Sequence, residues 1–218
     1  MNKELIIKKT IDFVKNELKN AESGHDWFHI ERVYNNTKLI SKTENVDMLV
    51  VELAALLHDI ADSKFHNGDE NIGPNKANDF LILLGINDNT KTHIINIIAN
   101  MSFSKNIDNE VKFNSLELQV VQDADRLDAI GAIGIARTFN YGGFKNRTIY
   151  NPEINPNLKM TKDEYKNSKA PTINHFYEKL LLLKDKMNTK TGQSIALNRH
   201  KFMELFLKQF YDEWNGLK

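Results

Sequence analysis

Apolar residues recur along this chain with a helical period rather than a strand period. In IIKKTIDFVKNEL, Ile6, Ile7, Ile11, Phe13, Val14 and Leu18 fall near one broad stripe, which predicts an amphipathic N-terminal helix. A second helix is expected from about Asp26 to Lys42. MLVVELAALLHDIA is apolar at almost every position, as a central buried helix would be. PNKANDFLILLGI has a proline near its first turn and stops at Gly85. DNTKTHIINIIANM follows, with Asp or Asn available as cap. SLELQVVQDADRLDAIGAIGIARTF reads as one long helix or as two joined near the glycines. Between Tyr141 and Pro171 the periodicity lapses, and three of the four prolines fall in this stretch. A segment of that length without a pattern of its own is expected to be a functional lid or a disordered insertion. Helical patterning returns in INHFYEKLLLLKDKM and IALNRHKFMELFLKQFYDEW. With no β-hairpin signal, no glycine-rich phosphate loop and no internal repeat, the pattern predicts an all-α, single-domain fold. It carries a long loop insertion near its C-terminal third.

Composition narrows the function classes. The 218 residues are 41% hydrophobic and 27% charged, enough for the core of a globular protein. The formal net charge is zero, so no bulk attraction to nucleic acid or to an anionic membrane is expected. No apolar run is long enough to span a bilayer, and the N-terminus lacks the apolar stretch of a signal peptide. A cytoplasmic protein is the expectation. The absence of cysteine removes disulfides, thiolate catalysis and thiolate zinc sites.

Ionisable residues interrupt the apolar pattern in four places. In GHDWFHIERV, His25, His29 and Arg32 share one helical face, and two imidazoles one turn apart can bind a metal. The alternative is a partly exposed face with a satisfied histidine. His58 and Asp59 end the apolar helix, with Asp62 one turn further on. An aspartate at a helix C-terminus opposes the macrodipole, a local conflict that points toward function. In QDADRLDAIG, Asp123, Asp125 and Asp128 fall inside an otherwise apolar helix, where carboxylates need a partner or a metal. The alternative is capping or ion pairing with Arg126 or Arg137. The fourth group is a scatter of cations: Lys64, Arg126, Arg137, Lys145 and Arg147. Lys145 and Arg147 sit in YGGFKNR, a loop able to close over a phosphorylated ligand.

Taken in order, His29, then His58-Asp59, then Asp125, these residues resemble the H…HD…D signature of the HD-domain metal-dependent phosphohydrolases. HDWFHIERV, LLHDIADSKF and DADRLDAIGAIGIARTF are similar to the bacterial subfamily that includes nucleotide pyrophosphohydrolases, and the likeness covers most of the chain. The resemblance implies a helical HD core over about residues 22–130, a flexible loop or lid at 141–171 and C-terminal helices at 172–218. It implies that His29, His58, Asp59 and Asp125 ligate one divalent metal ion. The nitrogen and oxygen donor set favours Mn²⁺, with Fe²⁺, Co²⁺, Ni²⁺ or Mg²⁺ as alternatives and zinc compatible. Some relatives bind a second metal through further histidines. His66 and His93 lie in the corresponding interval, but without the adjacent-histidine spacing of a two-metal site, so one metal is expected. Asn100 and Met101 stand where some relatives carry histidine.

The resemblance also gives Asp62 the place of a general acid/base, and makes His25, Arg32, Lys64, Asp128, Arg137, Lys145 and Arg147 candidates to contact substrate. The expected activity is hydrolysis of nucleoside or deoxynucleoside triphosphates to the monophosphate and pyrophosphate by a metal-activated water. The alternatives are a 5′-nucleotidase or phosphodiesterase using the same site, or a non-catalytic nucleotide or metal sensor. Nothing like the synthetase domain of the alarmone enzymes accompanies the motif. The partner is a small-molecule nucleotide, without nucleic acid or membrane, and a homo-oligomer is compatible.

Overall fold

Several helices begin at a side chain that takes up one of the amide groups left without a partner at a helix start. In the computed structural model, which describes residues 1–19, 21, 26–61, 71–101, 113–161, 164 and 167–218, Asn2 accepts from the Leu5 amide at the start of α1 (Lys3–Glu17). Asp26 accepts from His29 at the start of α2 (Trp27–Ile40). Asp47 accepts from Leu49 and Val50 at the start of α3 (Met48–Leu57). After α4 (Ile72–Leu83), Asn87 accepts from Thr90 to open α5 (Asp88–Ala99). Helices α6 (Leu116–Asp128) and α7 (Gly131–Phe144) follow. The chain ends with a short α8 (Asn174–Glu178), a 3₁₀ turn (Leu180–Lys186), and the long α9 (Lys190–Trp214), capped by Thr189 on the Gly192 amide. The all-α expectation is met: among the described residues there is no strand. No helix among them is long and apolar enough to cross a membrane.

The chain forms two compact units, Met1–Asp125 and Arg126–Lys218, and the division falls inside α6. In the first unit α3 is the centre. Every residue from Val50 to Leu57 is buried, and α1, α2 and α5 pack against it. Its one buried acid, Glu52, meets Lys3 at 3.3 Å. The predicted α1 stripe holds: Ile6, Ile7, Val14 and Leu18 are buried, while Phe13 stacks on Phe80 of α4 at 4.0 Å between ring centroids. Each large aliphatic side chain so buried stabilises the fold by about 1.5–3 kcal/mol.

In the second unit α7 packs on α9, and the 3₁₀ turn packs on α8 and α9. Phe139, Phe176 and Phe206 form an aromatic contact there, with centroids 5.8–6.0 Å apart. Residues 145–161 run as turns and irregular chain, held at their start where Thr172 and Ile173 donate to the Thr148 and Ile149 carbonyls. Helix α7 outlasts its apolar pattern by three residues, reaching Phe144. The INHFYEKLLLLKDKM segment is a single turn of α-helix followed by 3₁₀, because Lys179 leaves helical dihedrals (φ −144°, ψ −57°).

The run predicted as one helix or two is two. Gly131 lies at φ +76°, a conformation open to glycine, and the Arg199 side chain lies over it. A Cβ on Gly134 would drive into the Ala129 carbonyl. These glycines let the chain turn sharply from α6 into α7. Gly134→Ala should therefore cost about 1–3 kcal/mol, or roughly 2–12 °C in the thermal midpoint of a chain this size. A melt indistinguishable from wild type would show that the corner relaxes freely.

Burial, with Lys179 and Arg147 close by, holds the half-buried His175 imidazole down at about 4 rather than the usual 6.5. Between these values an unfolded chain binds a proton that the folded chain refuses. The stability contributed by neutral His175 is thus fully present above about pH 6.5 and is lost as pH falls toward 4. One such proton is a slope of at most about 1.4 kcal/mol per pH unit. His175→Gln should flatten this acid limb in denaturant titrations run across it, and equal slopes in both proteins would refute the assignment.

Candidate metal centre

Three donors from three helices converge in the first unit. His29 stands in the first turn of α2, and its side chain is 5% exposed. His58 is the residue that closes α3, and its side chain is 6% exposed. Asp125 lies on α6 and is 42% exposed. Its Oδ1 is 3.6 Å from His29 Nε2 and 4.0 Å from His58 Nε2. One ligand atom from each residue falls within 4.8 Å of the other two, and among the described residues no other histidine and carboxylate group does so. The two imidazole planes meet edge to face, with centroids 5.5 Å apart.

The local fold dictates these positions. Helix α3 is too apolar to end in water, so its last turn delivers His58 to the interior. Its start and end both meet α6: the Asp47 amide donates to Glu117 at 3.1 Å, and His58 faces Asp125. His58 Nδ1 lies 2.9 Å from the Ala55 carbonyl. A carbonyl can only accept, so Nδ1 carries the proton and Nε2 turns its lone pair to the centre. Metal-binding histidines are oriented by such a bond from the other ring nitrogen.

The donor set fits a divalent cation. Two neutral imidazoles and a carboxylate leave one negative charge, and the 3.6 and 4.0 Å separations are too long for direct hydrogen bonds. Ligands held about 2.0–2.2 Å from an ion stand roughly 3–3.5 Å apart in tetrahedral or octahedral geometry. The observed separations of 3.6 and 4.0 Å are wider than that.

Other sequence-predicted residues are placed as follows. Asp59 follows His58, but its carboxylate is outside the group of mutually close donor atoms. Arg32 is half-buried on α2, one turn from His29. His25, Asp62, Lys64 and His66 lie outside the described residues. His93 sits 3.0 Å from Ser115 Oγ and 3.5 Å from Glu117, with its ring edge-on to Phe113. Asn100 receives a bond from Gln122 on its carbonyl. Of the three aspartates in QDADRLDAIG, Asp123 is fully buried and only Asp125 joins the donor group.

In the second unit Asp128, 1% exposed, pairs with Arg137, which is the ion-pair alternative weighed from the sequence. Arg126 donates to the Lys186 carbonyl at 2.7 Å. Lys145 is exposed over the Tyr141 and Phe144 rings. Arg147 lies over Tyr141 and donates to the Ser168 carbonyl at 2.6 Å. The sequence reading passed over Asn36, a buried amide two turns beyond His29 on the same helix. An asparagine on an otherwise apolar face was the available signal.

Comparison with known proteins gives the family. Residues 27–130 match the HD domain family. The Bacillus subtilis protein YpgQ is 37% identical over 205 residues, spanning 94% of this chain and 92% of its own. A crystal structure of an HD-superfamily hydrolase from Bacillus thuringiensis superposes with a TM-score of 0.80 at 45% identity, covering 98% of this chain and 99% of that one. The structure of B. subtilis YpgQ in complex with ADP superposes with a TM-score of 0.77 at 34% identity, covering 98% and 97%. A helical core that brings two histidines and an aspartate together, and a likeness that runs the length of both chains, place this protein in the HD superfamily of hydrolases.

Proposed function

We propose that this protein is a metal-dependent phosphohydrolase of nucleotides, splitting nucleoside or deoxynucleoside triphosphates into the monophosphate and pyrophosphate. The observation that carries the hydrolytic reading is the His29, His58 and Asp125 donor group. The nucleotide class is supported by the ADP complex of the YpgQ relative.

In this reading His29, His58, Asp59 and Asp125 hold one divalent ion, with Mn²⁺ the first choice. Asp59 would complete the set from its place next to His58. A divalent ion held there lowers the pKa of water and offsets phosphate charge. Asp62 is the general acid/base: it takes the proton of the water that attacks the α-phosphorus as the bond to the bridging oxygen breaks. Arg32 and Lys64 are assigned to the β- and γ-phosphate oxygens, where a guanidinium and an ammonium give charge-assisted bonds.

The two aspartates can be told apart experimentally. Asp62→Ala should slow turnover by about 10²–10⁴-fold with metal content unchanged. Asp125→Asn should lose the metal, read by elemental analysis after dialysis. Undiminished turnover in the first variant would remove Asp62 from the reaction, and a fully metallated second variant would remove Asp125 from the ligand set.

Substrate class is tested by incubating wild-type protein and Asp59→Ala with Mn²⁺ and a panel of nucleoside triphosphates. Pyrophosphate and orthophosphate are read separately. Pyrophosphate from wild type alone is the expected outcome. Orthophosphate alone would make the protein a phosphatase, and neither product, with metal bound, would make it a sensor.

A further inference from the structure

Asn36 has no part in the donor group, yet its place in the first unit ties it to that group. It lies seven residues after His29 on α2, so the two side chains leave the helix in nearly the same direction, two turns apart. Asn36 is 8% exposed, and its Nδ2 donates to the Ala124 carbonyl at 3.1 Å. Ala124 is fully buried and immediately precedes Asp125.

The peptide linking Ala124 to Asp125 is planar and rigid. The oxygen that accepts from Asn36 and the Cα that carries the Asp125 side chain therefore move as one body. A bond from α2 to that oxygen sets the position of the Asp125 Cα against the helix that carries His29. Apolar contacts between two helices are non-directional and permit small slides, whereas a buried amide-to-carbonyl bond has a defined length and angle. A slide of about 1 Å would carry Asp125 Oδ1 away from the two imidazole nitrogens, a displacement large on the scale of a ligand shell.

We infer that Asn36 is a positioning residue for the metal centre: through the Ala124 carbonyl it fixes α6 against α2, and so holds Asp125 in register with His29 and His58. The inference rests on the reading of those three residues as metal ligands.

The test uses the full-length protein, stripped of metal by chelation and dialysis, as wild type, Asn36→Leu and Asn36→Gln. Leucine keeps the branched shape without the donor, and glutamine keeps a donor on a longer arm. Three quantities are measured: Mn²⁺ affinity by titration calorimetry, the visible absorption spectrum of the Co²⁺-loaded form, and the thermal midpoint of the metal-free form. Asn36→Leu should fold without metal, bind Mn²⁺ about tenfold more weakly and give an altered Co²⁺ spectrum. Asn36→Gln should recover part of the affinity.

Wild-type affinity and spectrum in Asn36→Leu would overturn the assignment while leaving the metal ligands standing. Failure of both metal-free variants to fold would also overturn it, because Asn36 would then serve the fold as a whole. A wild-type protein that binds no Mn²⁺ would overturn the ligand reading and this inference together.

Discussion

A helix that is apolar on every face has no stable place except inside a shell of other helices. Helix α3 imposes that condition on the first unit. Its residues from Val50 to Leu57 are all buried, and α1, α2 and α5 cover it. Apart from Glu52, which pairs with Lys3, its polar groups stand at the two ends, and both ends are engaged. Asp47 caps the first turn and donates its own amide to Glu117 of α6. His58 closes the last turn with one ring nitrogen on the Ala55 carbonyl and the other toward Asp125. The interior of the unit and its chemistry are thus consequences of the same burial.

Much of this was legible in the sequence because helical periodicity is a local signal. The stripe of α1, the uniform apolarity of α3, the asparagine cap of α5 and the glycine stop of α4 all follow from residues within one or two turns. His29, His58 and Asp125 were picked out differently, through their resemblance to a known motif, while Asp59, named with them, lies outside the donor group. What sequence spacing could not supply was which carboxylate of a crowded set faces the imidazoles. Asp123, Asp125 and Asp128 look alike on paper. In three dimensions the first is fully buried, the second meets the imidazoles, and the third is spent on Arg137. Asn36 left only a weak signal, an amide on an otherwise apolar face, since its partner is a backbone oxygen and backbone atoms leave no trace in a sequence. The break of the α8 segment into 3₁₀ at Lys179 also escaped the pattern, because leucines at four successive positions satisfy either helix type.

The donor group is unsymmetrical in its exposure. The two imidazoles form a closed rear wall, 5% and 6% exposed, while the carboxylate is 42% exposed. The carboxylate's side of the cluster is the one open to solvent. Neutral nitrogen donors tolerate burial far better than a charged carboxylate does. The arrangement therefore keeps the desolvation cost of the free site low and leaves the one anionic ligand where water can still solvate it.

The hydrogen bond between Asn36 and Ala124 also joins residues 88 positions apart. His29 and His58 belong to neighbouring helices of the chain and can approach each other early in folding, through contacts of short sequence separation. Asp125 can join them only after α6 has closed the long intervening loop, the entropically expensive step that sets the pace in folds with distant contacts. Before that step the chain holds a pair of imidazoles. After it the chain holds the three-donor group. On the proposed reading of these residues as metal ligands, the donor group is complete only once that long-range contact forms, and a nascent or partly unfolded chain would hold an ion poorly.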